Sequence, residues 1–334
     1  MKYEPKPLFA ERMAKLLGGK EEAEKFFEFC RLPSPDSIRC NTIKIEPEKL
    51  RKRLEKKGWE IEQPFKNFPE IMIIENGQSL SPGEIGKSIE HLLGYFYVQE
   101  ISSMLPMIAL QPKKGEFILD LCASPGSKTT QAASMMENGG TIIANDKDIG
   151  RIKILLANLE RCGVMNTIVS KMDGLNLCEK IKKKKLWRFD KILVDAPCSG
   201  EGTLRKSPKT YLMWNIKVIE NLSRLQKKLA AQAMKILKVG GEMVYSTCTL
   251  SPEEDEAIID FLTKNFDVEV LDIKLPLKTR CGVCEWEGQQ FNKNVSKACR
   301  VYPQDNDTDG FFLCKIKKLS ERGCKEKWEE QEGE

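Results

Sequence analysis

FILDLCASPGSKTTQ, residues 117–131, is the stretch that decides the fold class. An apolar run carries Asp120, a turn with the single glycine Gly126 follows, and a helical pattern begins near Ser127. A buried strand that turns directly into a helix is the first half of a βα unit. Apolar runs separated by helical stretches continue through the rest of the chain, which predicts repeated βα units around a parallel sheet.

The same alternation places the individual elements of this sheet. Strands are expected at residues 117–123, 141–146, 167–170, 191–197, 242–249, 268–272 and 310–316. Helices are expected at residues 127–137, 149–162, 218–238 and 253–265. We therefore expect an α/β fold whose central strands are buried on both faces.

The segment before this sheet has a different pattern and predicts a smaller unit. Helices are expected over residues 8–17, 21–30 and 47–57, and strands over SIRCNTIKI (37–45) and IMII (71–74). We predict a mixed α/β domain at residues 1–98, an α/β domain at residues 99–318, and a charged, flexible tail at residues 319–334.

The cysteine and histidine counts restrict the chemistry. The 334 residues include 12 Cys and 1 His, so His91 alone cannot build a multi-histidine metal cage or a two-histidine acid–base pair. The opening MKYEPKPLFAERMAKL lacks the apolar segment and cleavage site of a secretory signal, which predicts a cytoplasmic protein with mostly free thiols. No apolar stretch approaches the length of a membrane span.

Charge and a cysteine pair leave alternatives open. The chain has 54 Lys+Arg against 49 Asp+Glu, a net charge of +5 that permits a polyanionic partner without requiring one. The basic run Lys180–Lys191 is either a solvated loop or a phosphate contact.

Cys281 and Cys284 form one C-x-x-C without a second pair, so unpaired thiols or a disulfide are expected rather than a metal site.

Four reactive side chains fall near the carboxyl ends of predicted strands, where open parallel sheets bind ligands: Asp120, Asp146, Asp195 and Cys248. The turn after Asp120 matches neither G-x-G-x-x-G nor a Walker A loop, which favours a nucleoside ligand without phosphates. Asp146 is placed to accept hydrogen bonds from ribose hydroxyls and Asp173 from an adenine amine, although a single aspartate is more often a cap or turn residue. Together they indicate an adenosine ligand, with S-adenosylmethionine one candidate.

Two cysteines at this edge are difficult to explain as core residues. Cys198 follows Pro197, and Cys248 follows Thr247, at the ends of neighbouring predicted strands. A thiolate that adds to C6 of cytosine or uracil makes C5 nucleophilic enough to take an electrophilic methyl group, and a carboxyl group beside N3 could stabilise the charge of that addition. The cysteine pair indicates covalent chemistry on a pyrimidine.

Six ordered motifs between residues 30 and 318 are CNTIKI, YFYVQEISSMLP, DLCASPGSKTTQ, DAPCSGEGTLRKSP, VYSTCTLSPEEDE and DTDGFF. In these motifs the chain resembles the NSUN-type RNA (cytosine-5) methyltransferase family, and most of all its archaeal tRNA-modifying members. The resemblance implies a Rossmann-like, class I S-adenosylmethionine-dependent methyltransferase sheet preceded by a small N-terminal α+β RNA-binding domain. We expect no separate PUA-type domain, and therefore no substrate recognition that depends on one.

The resemblance also implies roles for individual residues. Cys248 matches the nucleophile, Cys198 the cysteine that assists product release, and Asp195 the residue that contacts the cytosine near N3, while Lys128 lies close to the reaction centre. The matching cofactor site comprises Cys122, Ala123, Ser124, Pro125, Gly126, Ser127, Lys128, Asp146, Arg151, Asp173 and Asp195. Ser124 and Ser127 replace the alanine and glycine that are frequent in the family, and both changes should leave the turn intact.

The resemblance implies an enzyme that forms 5-methylcytosine in structured RNA, in particular tRNA, and a monomer is the default expectation. Arg205, Lys206 and Lys209 are expected to hold the RNA backbone, and His91 is expected to be structural. Three alternatives stay open: a ribosomal RNA methyltransferase, a non-catalytic RNA-binding or assembly factor, and a nicotinamide dehydrogenase, the last disfavoured by the missing glycine pattern.

Overall fold

The computed structural model describes residues 4–81 and 83–322, so most of the expected C-terminal tail lies outside the described residues. The first part of the chain forms α1 (Pro7–Leu17), α2 (Lys20–Phe29), β1 (Asp36–Cys40), α3 (Pro47–Glu55), β2 (Ile61–Glu62), β3 (Ile71–Ile74), α4 (Glu84–Lys87), α5 (Ile89–Leu92) and β4 (Phe96–Val98). Strands β2, β3, β1 and β4 pair in that order, and every pair is antiparallel.

One predicted strand of this small sheet ends early. Strand β1 stops at Cys40 instead of continuing to residue 45. The chain turns at Asn41, whose backbone oxygen accepts from Lys44 N and whose side-chain amide donates to the Gly94 and Cys162 carbonyls at 2.8 and 2.7 Å. An asparagine side chain that competes for backbone partners favours a turn over a ladder, so the alternating pattern was misleading here.

The remainder of the chain forms the large sheet and its covering helices. Its elements are α6 (Ile101–Leu110), β5 (Phe117–Asp120), α7 (Ser127–Met135), β6 (Thr141–Asp146), α8 (Ile149–Cys162), β7 (Thr167–Lys171), α9 (Gly174–Lys184), β8 (Phe189–Asp195), α10 (Thr210–Met213), α11 (Ile216–Ile236), β9 (Leu237–Thr247), α12 (Glu256–Asn265), β10 (Val268–Leu271), β11 (Arg280–Cys281), β12 (Glu285–Trp286), β13 (Gln289–Gln290), β14 (Cys299–Val301), α13 (Pro303–Asn306) and β15 (Phe311–Lys318).

The strand order of the large sheet confirms the predicted α/β fold. From one edge it runs β7, β6, β5, β8, β9, β15, β14 and β11, with β10 also paired to β15. Strands β5 to β9 are mutually parallel, whereas β15 is antiparallel to β9. The chain order reverses between β5 and β8, which creates a crevice at the carboxyl ends of these strands.

Several predicted boundaries were wrong, and two helices of ten or more residues, α6 and α9, were missed, together with the short helices α4, α5, α10 and α13. Helix α11 ends at Ile236, and β9 follows at once from Leu237, five residues before its predicted start. Helix α6 was missed because nearly all of its residues are buried, which removes the one-sided apolar pattern that marks a helix. The first lysines of the basic run close α9, so the run begins as a helical turn and not as a loop.

The first two helices pack on the large α/β unit. Phe9 of α1 stacks on Trp214 with ring centroids 5.2 Å apart, and the same buried cluster includes Phe27, Leu250 and Tyr302. The small sheet has its own core, which is built around Ile38, Leu50, Leu54, Trp59, Met72 and Phe96. None of the helices in the described ranges combines the length and apolar character that crossing a membrane requires.

Candidate active site

A cleft opens where the chain order of the sheet reverses, with an empty volume of about 790 Å³ that includes solvent at its mouth. Its lining is Leu121, Cys122, Ser124, Asn145, Asp146, Lys147, Arg151, Asp173, Gly174, Asp195, Ala196, Pro197, Cys198, Leu225, Leu229 and Cys248. Both predicted catalytic cysteines and most of the predicted cofactor residues therefore share one cavity.

Asp146 ends β6 inside this cleft, and one of its carboxylate oxygens can accept a hydrogen bond from a ligand. Its Oδ1 accepts from Asp148 N at 3.0 Å. Its buried Oδ2 accepts no hydrogen bond from the described residues, and Arg151 Nη1 lies 3.4 Å away. Arg151 Nη2 donates to the Ser124 carbonyl at 2.7 Å, and this bond joins helix α8 to the loop between β5 and α7. A buried carboxylate oxygen without a donor fits the hydroxyls of a ribose.

Acidic and apolar residues of the cleft suit an adenine ring. Asp173 caps α9, with Oδ1 accepting from Leu175 N at 3.0 Å, and this residue also lines the cavity. Leu225 and Leu229 lie one turn apart on α11 and line the cavity together with Pro197. The sequence analysis did not predict these apolar residues or the exposed Lys147 as part of the site. The spacing of the two leucines, i and i+4 on a helix that follows the DAPC motif, was the signal that could have indicated them.

The loop between β5 and α7 divides its residues between two cavities. A second cavity, with an empty volume of about 640 Å³, is lined by Tyr97, Val98, Gln99, Glu100, Ser103, Asp120, Cys122, Ala123, Ser124, Pro125, Ser127, Lys128 and Asp195. Cys122, Ser124 and Asp195 line both cavities. Burial raises the pKa of Cys122, which keeps that thiol protonated and suits a lining residue.

Gly126 sets the direction of this loop without lining either cavity. It precedes α7 with φ of +104°, and a Cβ there would lie 2.9 Å from Leu155 Cδ1. Both its backbone conformation and the close helix contact favour glycine.

The two cysteines meet at one side of the first cavity. Cys198 Sγ and Cys248 Sγ are 3.1 Å apart. The residues that follow them are also joined, since the Ser199 and Thr249 hydroxyls lie 2.7 Å apart and Gly202 N donates to the Cys248 carbonyl at 2.9 Å. Contact with the second sulfur, and then burial, raises the pKa of Cys198 well above its usual value. Cys198 is therefore a protonated thiol at neutral pH.

Asp195 and Lys128 form an ion pair beside the cysteines. Lys128 Nζ lies 2.7 Å from Asp195 Oδ2 and also donates to Ser103 Oγ at 3.1 Å. Ser246 Oγ donates to Asp195 Oδ1 at 2.7 Å. Ser103 was missed from the sequence, although it lies within the quoted QEISSMLP motif. The carboxylate is held on two sides at the boundary between the cavities.

Arg205 does not have the predicted role in holding RNA. Its guanidinium is buried, donates to the Leu32, Pro33 and Thr308 carbonyls, and pairs with Asp307 at 2.7 Å. A charged group that is fully engaged by backbone acceptors fixes the fold and is unavailable to phosphates. Lys206 and Lys209 are exposed, as an RNA contact requires.

The other candidate residues lie away from this site. His91 belongs to α5 and is half-buried, with its ring centroid 5.6 Å from that of Phe96. Cys281 and Cys284 are both free thiols. Within residues 4–81 and 83–322, no three side chains of the His, Cys, Asp and Glu types converge in a way that could hold a metal ion.

Comparison with known proteins identifies the relatives of this chain. Residues 107–317 match the family model of the 16S rRNA methyltransferase RsmB/F, and residues 6–101 match that of the N-terminal domain of 16S rRNA methyltransferase RsmF. A tRNA (cytosine(49)-C(5))-methyltransferase of Pyrococcus abyssi is 42% identical over 310 residues, which cover 92% of this chain and 94% of that protein.

Two further matches extend this result. A ribosomal RNA small subunit methyltransferase F of Vibrio cholerae is 38% identical over 318 residues. The match covers 95% of this chain and 64% of the length of that relative. The crystal structure of a methyltransferase homolog protein from Pyrococcus horikoshii has a TM-score of 0.81 at 37% identity, covering 93% of this chain and 95% of that one. The chain therefore belongs to the RsmB/F (NOL1/NOP2/Sun) family of S-adenosylmethionine-dependent RNA cytosine-5 methyltransferases, the family that its motifs resemble.

Proposed function

We propose that this enzyme methylates C5 of a cytosine in tRNA through a covalent bond between Cys248 Sγ and C6 of the base. The observation that carries this proposal is the pair of sulfurs, 3.1 Å apart, beside a carboxylate that lines both cavities. A nucleophile, a second thiol and a charged pair at one point provide the groups that such a reaction needs.

The target cytosine would occupy the space between the two cavities. A base inside a helix cannot reach Cys248, so the cytosine must leave its stack. The second cavity, which is lined by Lys128 and shares Asp195 with the first, would take the polar edge of the flipped ring, while C5 and C6 face the first cavity and Cys248. The ion pair of these two side chains would face N3 and O2, where negative charge builds as the thiolate adds to C6.

Methyl transfer and release then follow from the same groups. Addition of the Cys248 thiolate to C6 would move an electron pair toward C5, and S-adenosylmethionine held in the first cavity would supply the methyl group that C5 takes, leaving as S-adenosylhomocysteine. Loss of the C5 proton to water or to a carboxylate would restore the C5–C6 double bond and return the bonding electrons of C6–S to the Cys248 sulfur. Cys198 Sγ stands beside that sulfur, where it would assist the release.

Two observations bear on the choice of RNA. The Pyrococcus abyssi relative, named for tRNA, is 42% identical to this chain, whereas the Vibrio cholerae relative, named for ribosomal RNA, is 38% identical. This difference in identity favours tRNA. The match to a 16S rRNA methyltransferase family model makes ribosomal RNA the second candidate. A cytoplasmic location and a monomeric state stay predictions.

A methyl-transfer assay tests the substrate. The full chain is incubated with methyl-labelled S-adenosylmethionine and either unmodified tRNA transcripts or 16S rRNA fragments, and the RNA is digested to nucleosides. We expect label in 5-methylcytosine from tRNA alone. Label confined to rRNA would overturn the tRNA assignment, and an unlabelled cytosine fraction from both RNAs would support a non-catalytic factor.

A cysteine control in the same assay tests the nucleophile. The Cys248→Ala variant should lose all activity, whereas Cys281→Ala, which removes an exposed thiol outside the cleft, should retain the wild-type rate. Full activity in Cys248→Ala would exclude the covalent route.

A further inference from the structure

A buried polar pair lies directly behind Cys198. The side chains of Glu254 and Gln226 are fully buried, and neither lines the cofactor cleft. Gln226 belongs to α11, and Glu254 follows the Cys248 loop in the Ser251–Glu256 segment. Burying a carboxyl group and an amide is unfavourable unless they bind each other or the backbone, so their partners are informative.

Their contacts hold the backbone on both sides of Cys198. Gln226 Nε2 donates to the Pro197 carbonyl and to Glu254 Oε2, both at 2.8 Å. Ser199 N donates to the same Glu254 oxygen at 3.0 Å. The residue before Cys198 and the residue after it are thus both bound to one buried pair.

The same pair is anchored to the strand that leads to Cys248. The Tyr245 hydroxyl on β9 donates to the Glu254 carbonyl at 2.6 Å. Helix α11, the Cys198 loop and the end of β9 therefore meet at Glu254. This anchor is separate from the bonds that hold Asp195, which come from Lys128 and Ser246.

Burial also makes the Glu254 carboxyl group harder to ionise. Burial raises the pKa of Glu254 to about 7, against the hydrogen bonds from Ser199 and Gln226, which lower it. Its buried Oε1 accepts no hydrogen bond from the described residues. When Glu254 is charged, it also raises the pKa of Cys198.

We propose that Glu254 and Gln226 are positioning residues for product release, which hold Cys198 Sγ against the Cys248 sulfur. This inference rests on the proposed function, because release is the step in which the C6–S bond breaks. Neither side chain touches the cleft, so their effect passes through the Cys198 backbone. Loosening the pair should leave addition and methyl transfer intact, while the C6–S bond persists after C5 has been methylated.

The experiment separates the first turnover from later ones. Gln226→Leu and Glu254→Ala each break the contacts, whereas Glu254→Gln keeps an oxygen that can accept from Ser199 N. With a pool of unmodified tRNA transcripts, we expect first-turnover methylation within about 3-fold of wild type in all three. Steady-state turnover should fall at least about 10-fold in Gln226→Leu and Glu254→Ala, with a protein–RNA adduct visible on a denaturing gel, and Glu254→Gln should release product normally.

Two controls keep the outcome specific. Glu253→Gln changes the neighbouring carboxyl group, which binds Arg12 and Trp286 away from the cysteines, and should turn over like wild type. S-adenosylmethionine binding, measured by calorimetry, identifies the variants that are folded. Wild-type turnover without an adduct in a folded Gln226→Leu or Glu254→Ala variant would overturn the positioning role. The role would also be overturned if the first-turnover rate fell as much as the steady-state rate. If wild-type protein forms no 5-methylcytosine, the proposed function itself fails.

Discussion

Position in the fold separates the two cysteines that we propose to react from the cysteines of the core. Burial raises the pKa of Cys30, Cys40 and Cys178 to about 12 each, so these thiols behave as small apolar residues. Cys198 and Cys248 instead line a cleft, with their sulfurs in contact. The sequence allowed these two to be singled out because both follow strands that end at the ligand edge of the sheet.

Asp146 should control cofactor affinity. In Asp146→Ala the ribose hydroxyls lose a charged acceptor, and a hydrogen bond to a charged group contributes about 1.5–3 kcal/mol. We expect the Kd for S-adenosylmethionine, measured by calorimetry, to rise about 10- to 100-fold. Glu160→Ala is the matched control, since this exposed acid of α8 does not line the cleft. An unchanged Kd in Asp146→Ala would remove this residue from the site.

Asp120 should make stability depend on pH. Burial raises the pKa of this carboxyl group to about 7 from its usual 3.8, against the hydrogen bond from Thr129. Between these values the unfolded chain is ionised while the folded protein keeps the proton, so wild-type stability falls as pH rises from about 4 to about 7. The Asp120→Asn variant has no carboxyl group to titrate. Its free energy of unfolding should therefore rise relative to that of wild type by a few kcal/mol between about pH 4 and pH 7.

The measurement for Asp120 is urea unfolding of both proteins at several pH values without RNA. A difference between wild type and Asp120→Asn that does not change between pH 4 and 7 would show that the carboxyl group titrates normally.

At the level of elements, the two cysteine loops approach through a glycine. A Cβ on Gly202 would lie 2.1 Å from the Gly310 carbonyl oxygen and 2.9 Å from that of Cys248. Gly202→Ala must therefore push the loops apart, and we expect methylation to fall at least about 100-fold, because small misplacements of reacting groups have effects of this size. Gly86→Ala, with open space around its Cβ, is the control and should be fully active.

Rates for Gly202→Ala should be compared with its melting curve. Wild-type activity in this variant would show that the packing of the Cys198 loop against β15 and the Cys248 loop does not determine the geometry of the cysteines.

Local sequence was sufficient for elements whose signal is local, and insufficient where the partners are distant. The turn after β5, the acids at the strand ends and both cysteines follow from apolar runs and their ends. Helix α6 and the turn at Asn41 depend on burial and on carbonyls far along the chain. Arg205 looked like an RNA contact because its acceptors, in residues 32–33 and 307–308, are remote in sequence.

At the scale of the whole molecule, one buried arginine joins the small sheet to the catalytic unit. Arg39 on β1 donates to the Ser127 carbonyl and to Thr130 Oγ1 of α7, each at 2.8 Å, and to the Gln99 side chain. Its guanidinium also lies 5.6 Å from the centroid of the Tyr97 ring. The N-terminal region thus contacts the helix that follows the cofactor loop.

Arg39→Ala should weaken the whole fold. Buried acceptors on both sides of the junction would lose a charged donor, so we expect the free energy of unfolding to fall by about 2–4 kcal/mol in denaturant titrations. Lys49→Ala, which breaks an exposed ion pair with Glu46, should change it by less than about 0.5 kcal/mol. Equal stability of the two variants would mean that the junction contributes little.

The covalent route is tested most directly by the Cys198→Ala variant. Incubated with S-adenosylmethionine and unmodified tRNA transcripts, it should accumulate a protein–RNA adduct that survives denaturation, and peptide mapping should place the bond on Cys248. The Cys198→Ala/Cys248→Ala double variant should form none. Normal product release by Cys198→Ala would remove the release role of Cys198, and an adduct that maps to another residue or persists in the double variant would contradict catalysis through a Cys248–cytosine bond.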